Sequence, residues 1–209
     1  MVLHVLVEGT SDVPTLREIL TRRIGLTGGS GFVIHPHKGK GGIPPNPLEK
    51  PSPWEQRLLP LLPSKLRAYG KNSPEHAVVV VVDADRDNCQ TLKQALVALY
   101  QATNPRPAKV LFRIAVEEME SWFIAEANAV LQAYPTAQVA NLATIPPDSI
   151  VGAWEELAKA LGLDPSKCSG ADKEEWAKQI SPHLNLDAPV SPSLNTLISG
   201  LERIAGIAP

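Results

Sequence analysis

The sequence predicts an α/β protein: an open, mainly parallel four-stranded sheet with helices on both faces, followed by a C-terminal helical extension. Three observations predict it. Val78 to Val82 is an unbroken run of valines with no polar face, as expected of a strand buried on both sides in a parallel sheet. Apolar β-branched runs alternate with segments whose apolar residues recur at helical spacing, in the order β-α-β-α-β-α-β-α. After Pro135 no strand candidate remains. The expected organisation is a sheet domain over 1–134 and a helical extension over 135–209 packed on it.

Val2 to Val7 reads as the first strand, interrupted only by His4. Gly9 permits a tight exit, Ser11 or Asp12 can cap a helix, and Pro14 sits in its first turn, where a missing N–H does no harm. Leu16, Ile19, Leu20 and Ile24 carry that helix to about Arg23. Gly31 to His35 is a weaker second strand. Pro36 to Pro53 is a proline- and glycine-rich loop, long enough to be functional or mobile. Trp54 to Tyr69 is helical in pattern, with Pro60 and Pro63 expected to break or kink it. The valine strand follows, then a helix from Cys89 to Tyr100, a fourth strand from Lys109 to Val116, and a helix opened by Glu117 to Glu120. Beyond Pro135, three helical segments are expected at Val151–Leu161, Asp172–Ile180 and Leu194–Ile204.

Acid gathers where the strands end. Glu8 closes the first strand, Asp83 and Asp85 the third, and Glu118 and Glu120 follow the fourth. The carboxyl edge of a parallel sheet is where such folds place their sites. If the third strand continues to Asp85, its carboxylate points the same way as that of Asp83. Carboxylates crowded together with no basic residue among them make a hard oxygen site, suited to Mg²⁺ or Mn²⁺ rather than zinc. Such ions clamp a phosphate and lower the pKa of a bound water, which is phosphodiester or phosphoryl-transfer chemistry. Each cluster also has a plainer reading. Glu8 alone suits a solvated strand end, Asp83 and Asp85 suit turn formers and caps, and acids before a helix favour its dipole.

A second candidate region follows the second strand. Lys38 and Lys40 on the glycine-rich loop suit phosphate contacts, and Lys40 suits neutralisation of a scissile phosphate. Arg57 adds to a basic stretch over 38–71 along which a nucleic-acid backbone can run, and a solvated helix face reads equally well. A metal on His35 and His37 lacks a third ligand. Trp54, Trp122, Trp154 and Trp176 read as packing residues. The net charge of −2 gives no overall polyanion signal, and two distant cysteines suggest neither a zinc knuckle nor a disulfide framework. The first residues carry no basic region ahead of an apolar stretch, and no run reaches membrane-spanning length. The expectation is a soluble cytoplasmic protein without membrane association.

Val7-Glu8-Gly9-Thr10-Ser11-Asp12, with a valine strand closing in Asp83-Ala84-Asp85, resembles the TOPRIM pattern of topoisomerases, primases and OLD-type nucleases. Glu118-Met119-Glu120-Ser121-Trp122-Phe123-Ile124-Ala125, together with Ser191-Pro192-Ser193-Leu194, is similar to a bacterial domain-of-unknown-function family with a TOPRIM-like core. Two positions depart from that family: Leu194 stands where phenylalanine is usual, and Glu126 where aspartate is usual. The resemblance implies a TOPRIM-like sheet with Mg²⁺ or Mn²⁺ at its acidic edge. Glu8 would be acid/base or ligand, Asp83 and Asp85 would hold the metal, and Glu118 and Glu120 would be further ligands or their support.

The expected function is therefore a metal-dependent nuclease acting on DNA or RNA, possible roles including phage defence. Two other classes stay open: a phosphoryl-transfer enzyme acting on a nucleotide, and a non-catalytic TOPRIM-like subunit docking on a separately encoded ATPase. A homodimer is a further possibility.

Overall fold

The computed structural model describes residues 1–71 and 74–207. Its centre is a four-stranded sheet, β1 (Val2–Val7), β2 (Phe32–Pro36), β3 (His76–Asp83) and β4 (Lys109–Ala115), in the order β2-β1-β3-β4. Every pairing is parallel. The two strands with the strongest apolar runs are the inner ones, so they are covered on both faces. The valines divide by parity. Val79 and Val81 join Leu3, Val5 and Val7 in one core. Val78, Val80 and Val82 join Leu6 and Phe112 in the other. An unbroken apolar strand is stable only because each face has its own cover.

The second core is closed by α2 (Leu58–Gly70) and α3 (Cys89–Ala102), through Leu58, Leu62, Leu66, Leu92 and Leu96. Helix α2 starts later than the periodicity predicts, at Leu58 rather than Trp54. Pro60 thereby falls in the first turn, where no N–H is required, and the helix runs on through Pro63 because its leucine face is locked onto the sheet. Trp54 lies outside the helix and is 86% exposed, which overturns its reading as a packing residue. Trp122 and Trp176 are buried as expected.

The first core is closed by α1 (Asp12–Glu18), which continues as a π-turn over Ile19–Arg23, and by helices from later in the chain. These are α4 (Ser121–Ala125), α5 (Ala127–Ala133), α6 (Ala153–Ala160), α7 (Gly170–Ile180) and α8 (Pro192–Ala205). Residues from both sides of position 135 share this core, among them Val79, Trp122, Trp176 and Leu197. Helix α8 crosses β4 so closely that a Cβ on Gly200 would overlap the Arg113 guanidinium.

The Ser-Pro-Ser segment caps α8. Ser191 Oγ accepts from the Leu194 N–H at 3.1 Å. The Asp148 carboxylate accepts from Ser191 Oγ at 2.7 Å, from the Ser193 N–H at 2.7 Å and from Ser193 Oγ at 3.1 Å. Trp122 Nε1 donates to Ser193 Oγ at 2.8 Å. The two signature segments of the chain thus meet, and Ser191–Leu194 holds α8 to α4 rather than entering a site. The two departures fit: Leu194 is fully buried, and Glu126 Oε1 accepts from the Val190 N–H at 3.0 Å. Asp148→Ala leaves an N–H and two hydroxyls without their acceptor, an expected loss of about 3 kcal/mol in urea unfolding. A change under about 0.5 kcal/mol would mean water replaces the carboxylate at no cost.

Candidate active site

The carboxyl ends of β1, β3 and β4 open into one cavity of about 500 Å³. Glu8 follows β1. Its Oε1 accepts from the Asp83 N–H at 2.8 Å, a bond that ties the first strand end to the third. Burial pushes its carboxyl up to about 7. The Asp83 N–H and Lys40 pull the other way, and Asp12 and Asp85 add to the rise.

Asp83 is the last residue of β3, and its Oδ1 accepts from the Met119 N–H at 3.1 Å. Burial first, then the charges of Asp12, Glu8 and Glu120, push its carboxyl well above the usual range. Asp85 does not share its direction. The strand stops at Asp83, and Asp85 takes a left-handed backbone, φ 50°, with its N–H on the Glu117 carbonyl at 2.8 Å. Its half-exposed carboxylate pairs with Lys40 at 2.5 Å. The expectation of two parallel carboxylates fails because the strand ends at Asp83, two residues before Asp85, although Asp85 still lines the cavity.

The acids after β4 do not open a helix. Glu117 is also left-handed, φ 62°, and α4 begins only at Ser121. The bonds from Asp83 and Asp85 to this segment bend it into a turn. The turn delivers Glu118 and Glu120 to the cavity wall. Glu118 Oε2 accepts from the Trp154 N–H at 3.2 Å, and burial raises its carboxyl. Glu120 is buried, and its carboxyl is raised by that burial despite an ion pair with Lys173 at 3.0 Å.

Two residues of this site, Asp12 and Lys173, are not among the site residues expected from the sequence. Asp12, expected only as a possible helix cap, is buried against the cavity, accepts from the Gly9 N–H at 3.0 Å, and has its carboxyl raised by burial. Its position four residues after Glu8, at the start of α1, is the signal that points to it. Lys173, on α7, is the basic residue that sequence reasoning found no place for among the acids. Burial opposes its charge, but Glu120, Glu118 and Asp83 hold its pKa above the usual value. Nothing in the sequence brings position 173 to Glu120.

The basic candidates separate. Lys38 is exposed at the cavity mouth. Lys40 does not line the cavity. Its Nζ donates to the carbonyls of Asp83 at 2.9 Å and Ala84 at 3.2 Å, and pairs with Asp87 at 3.0 Å as well as Asp85. Four oxygens therefore hold it at the β3 turn. Arg57 is exposed and locked to Glu55 through Nε at 2.9 Å and Nη2 at 2.7 Å, away from the acids.

Among the described residues, no three His, Cys, Asp or Glu side chains stand close enough together to grip a metal ion as they are placed. The donor set nevertheless suits a hard divalent cation. It is carboxylate only, its charge is offset in part by Lys173 on Glu120 and by Lys40 beside Asp85 and Glu8, and Glu8 and Asp83 each keep one oxygen outside their backbone hydrogen bonds.

Fold and site together define a parallel α/β protein with a buried acidic cleft at the carboxyl edge of its sheet. The chain matches the family model described as "Domain of unknown function (DUF4276)" over residues 7–202, and it belongs to that family. No curated protein matches it. Among solved structures it is similar to the C-terminal region of the Xanthomonas campestris pv. campestris OLD protein, at 11% identity and a TM-score of 0.47, covering 98% of this chain and 96% of that one. No described helix is long and apolar enough to cross a membrane.

Proposed function

We propose that this protein is a TOPRIM-like, Mg²⁺- or Mn²⁺-dependent phosphodiesterase that cleaves nucleic acid. One observation carries the reading. Glu8 and Asp83, from different strands, reach one cavity with Asp12, Glu118 and Glu120, and desolvation raises the proton affinity of all five. A purely structural cluster of this kind is costly, because each buried carboxylate charge repels the others. Perturbed acids converging in a cleft are the mark of a working site.

Glu8 and Asp83 would hold the metal, with Asp85, Glu118 and Glu120 at its margin. Bound there, the ion would supply an activated water and neutralise phosphate charge. The chain's own groups do the rest. As an alternative to ligating the ion, Glu8, whose carboxyl burial pushes up to about 7 in the metal-free chain, suits general acid/base transfer. Lys173 offsets part of the acid charge, and Lys38 at the mouth meets an incoming phosphate. Lys40 acts indirectly, by fixing the turn that carries Asp83 and Asp85. The resemblance to OLD-type nucleases extends the proposal to phage defence and to a separately encoded ATPase as partner.

The test is plasmid nicking by wild type and Glu8→Gln with Mg²⁺, Mn²⁺ or EDTA. Nicking that needs metal and falls at least 100-fold in the variant is expected. Equal nicking by both proteins would refute the assignment of Glu8. Turnover of a free nucleotide without nicking would move the site to phosphoryl transfer on a small substrate.

A further inference from the structure

The acidic cavity is the first of three that adjoin one another. The second, of about 500 Å³, shares Thr10, His37 and Lys38 with it and is lined further by His35, Leu61 and Lys65. The third, of about 530 Å³, shares Lys38, Glu55 and Gln56 with the second and is flanked by Trp54. Lys38 belongs to all three. Leu61 and Lys65 lie one turn apart on α2, which places both on the side of the helix that faces the end of β2.

This row of cavities is built on a braced backbone. The Gly39 N–H donates to the Glu8 carbonyl at 2.8 Å, and the His37 N–H to the Val7 carbonyl at 3.1 Å. On the other side the Lys38 N–H donates to the Gln56 carbonyl at 2.9 Å, and the Leu58 and Leu59 N–H groups take the carbonyls of Gly39 and Lys40. Gly41, at φ 68°, packs so near Pro60 that a Cβ would stand 2.7 Å from its ring. The loop is therefore pinned between the acidic site and the segment carrying Trp54.

Its chemistry is one-sided. Lys65 is half-buried and has neither a hydrogen bond nor an ion pair among the described residues, unlike Lys40 and Lys173. Lys38 is exposed beside it. The acid that lines the second and third cavities, Glu55, is neutralised by the two-pronged contact of Arg57. Trp54, 86% exposed, presents an indole with no core to serve. Cations with no anion, beside a bare aromatic face, fit a chain that alternates phosphates with flat bases.

We propose that these residues form the path of a single-stranded nucleic acid entering the acidic cavity, with Lys38 and Lys65 on its phosphates and a base stacked on Trp54. This deepens the phosphodiesterase reading and rests on it for the identity of the occupant. Duplex substrate would have to open before it reached the track, because a paired base offers no face to Trp54.

The test is fluorescence anisotropy of a labelled, short single-stranded oligonucleotide on Glu8→Gln protein, which retains the track and is expected not to cleave. Trp54→Ala should weaken binding about tenfold, and Trp54→Phe should restore most of it. Lys65→Ala should weaken binding and lower the slope of log affinity against log salt by about 0.7. Both side chains lie outside the core, and far-UV circular dichroism checks that the variants remain folded. Binding unaffected by Trp54→Ala and Lys65→Ala, or stronger to duplex than to single strand, overturns the track and leaves the acidic site standing. Binding that depends on Trp54 in a wild-type protein that cleaves neither plasmid nor the single-stranded oligonucleotide with Mg²⁺ or Mn²⁺ supports the track and removes the catalytic reading instead. Absence of nucleic-acid binding at low salt overturns the track.

Discussion

Lys173→Met should be strongly destabilising, costing about 3–5 kcal/mol in urea unfolding at pH 8. Lys173 is the cation paired with buried Glu120, and it also faces Glu118 and Asp83. Methionine keeps an apolar stem but removes the ammonium that lies 5.5 Å from the Trp154 ring centre and is paired with Glu120, so Glu120 must stay buried without its cation or take up a proton from solution at pH 8. The loss should shrink at pH 5, where carboxyls whose proton affinity is already raised become neutral. Lys173→Arg should recover most of the stability. An equal loss at both pH values would show that Lys173 acts through packing alone.

The acids themselves should tie stability to pH in an uncommon direction. Glu8 titrates near 7 in the folded protein, against an ordinary 4.5. Between those values the folded chain holds a proton that the unfolded chain has released. Stability from this group is therefore greatest below about pH 4.5, declines as pH rises through 7, and is then constant. The size is roughly 3 kcal/mol for Glu8. Asp12, Asp83 and Glu120, also raised, add loss of the same sign. His4 opposes it. Burial first, then His35 and His76, push its pKa down to about 4, so its term grows with pH up to about 6.5.

The Glu8→Gln protein isolates the Glu8 term, because His4 is common to both. The variant should gain roughly 3 kcal/mol relative to wild type between pH 4.5 and pH 8. Mn²⁺ should raise the melting temperature of wild type at pH 8 and leave that of Glu8→Gln nearly unchanged, since an ion that binds only the folded state stabilises it. Parallel pH profiles for the two proteins would show that Glu8 is solvated and ordinary. A response to Mn²⁺ of the same size in both would place the cation elsewhere.

Much of this architecture was legible in the chain. Apolar runs of fixed length announced four strands, and the lack of polar alternation in β3 announced its burial on both faces. The acids stand at strand ends, and in a parallel sheet strand ends share an edge, so the sequence alone predicts that Glu8, Asp83, Glu118 and Glu120 lie near one another, as they do in the cavity. The signature segments pointed to a family of unknown function, and the chain belongs to one so described.

What the sequence determined by itself was therefore local: which segments are strands and helices, and which polar residues lie where strands stop. These follow from hydrogen bonding and side-chain parity within a few residues. Only the tertiary structure decided the rest. It turned Asp85 aside to Lys40, bent Glu117–Glu120 into a turn, held Lys40 on four oxygens, left Trp54 in solvent and carried Lys173 into the acids. Each of these depends on where distant elements pack. Burial and charge at a residue are set by neighbours in space, and no local pattern records them.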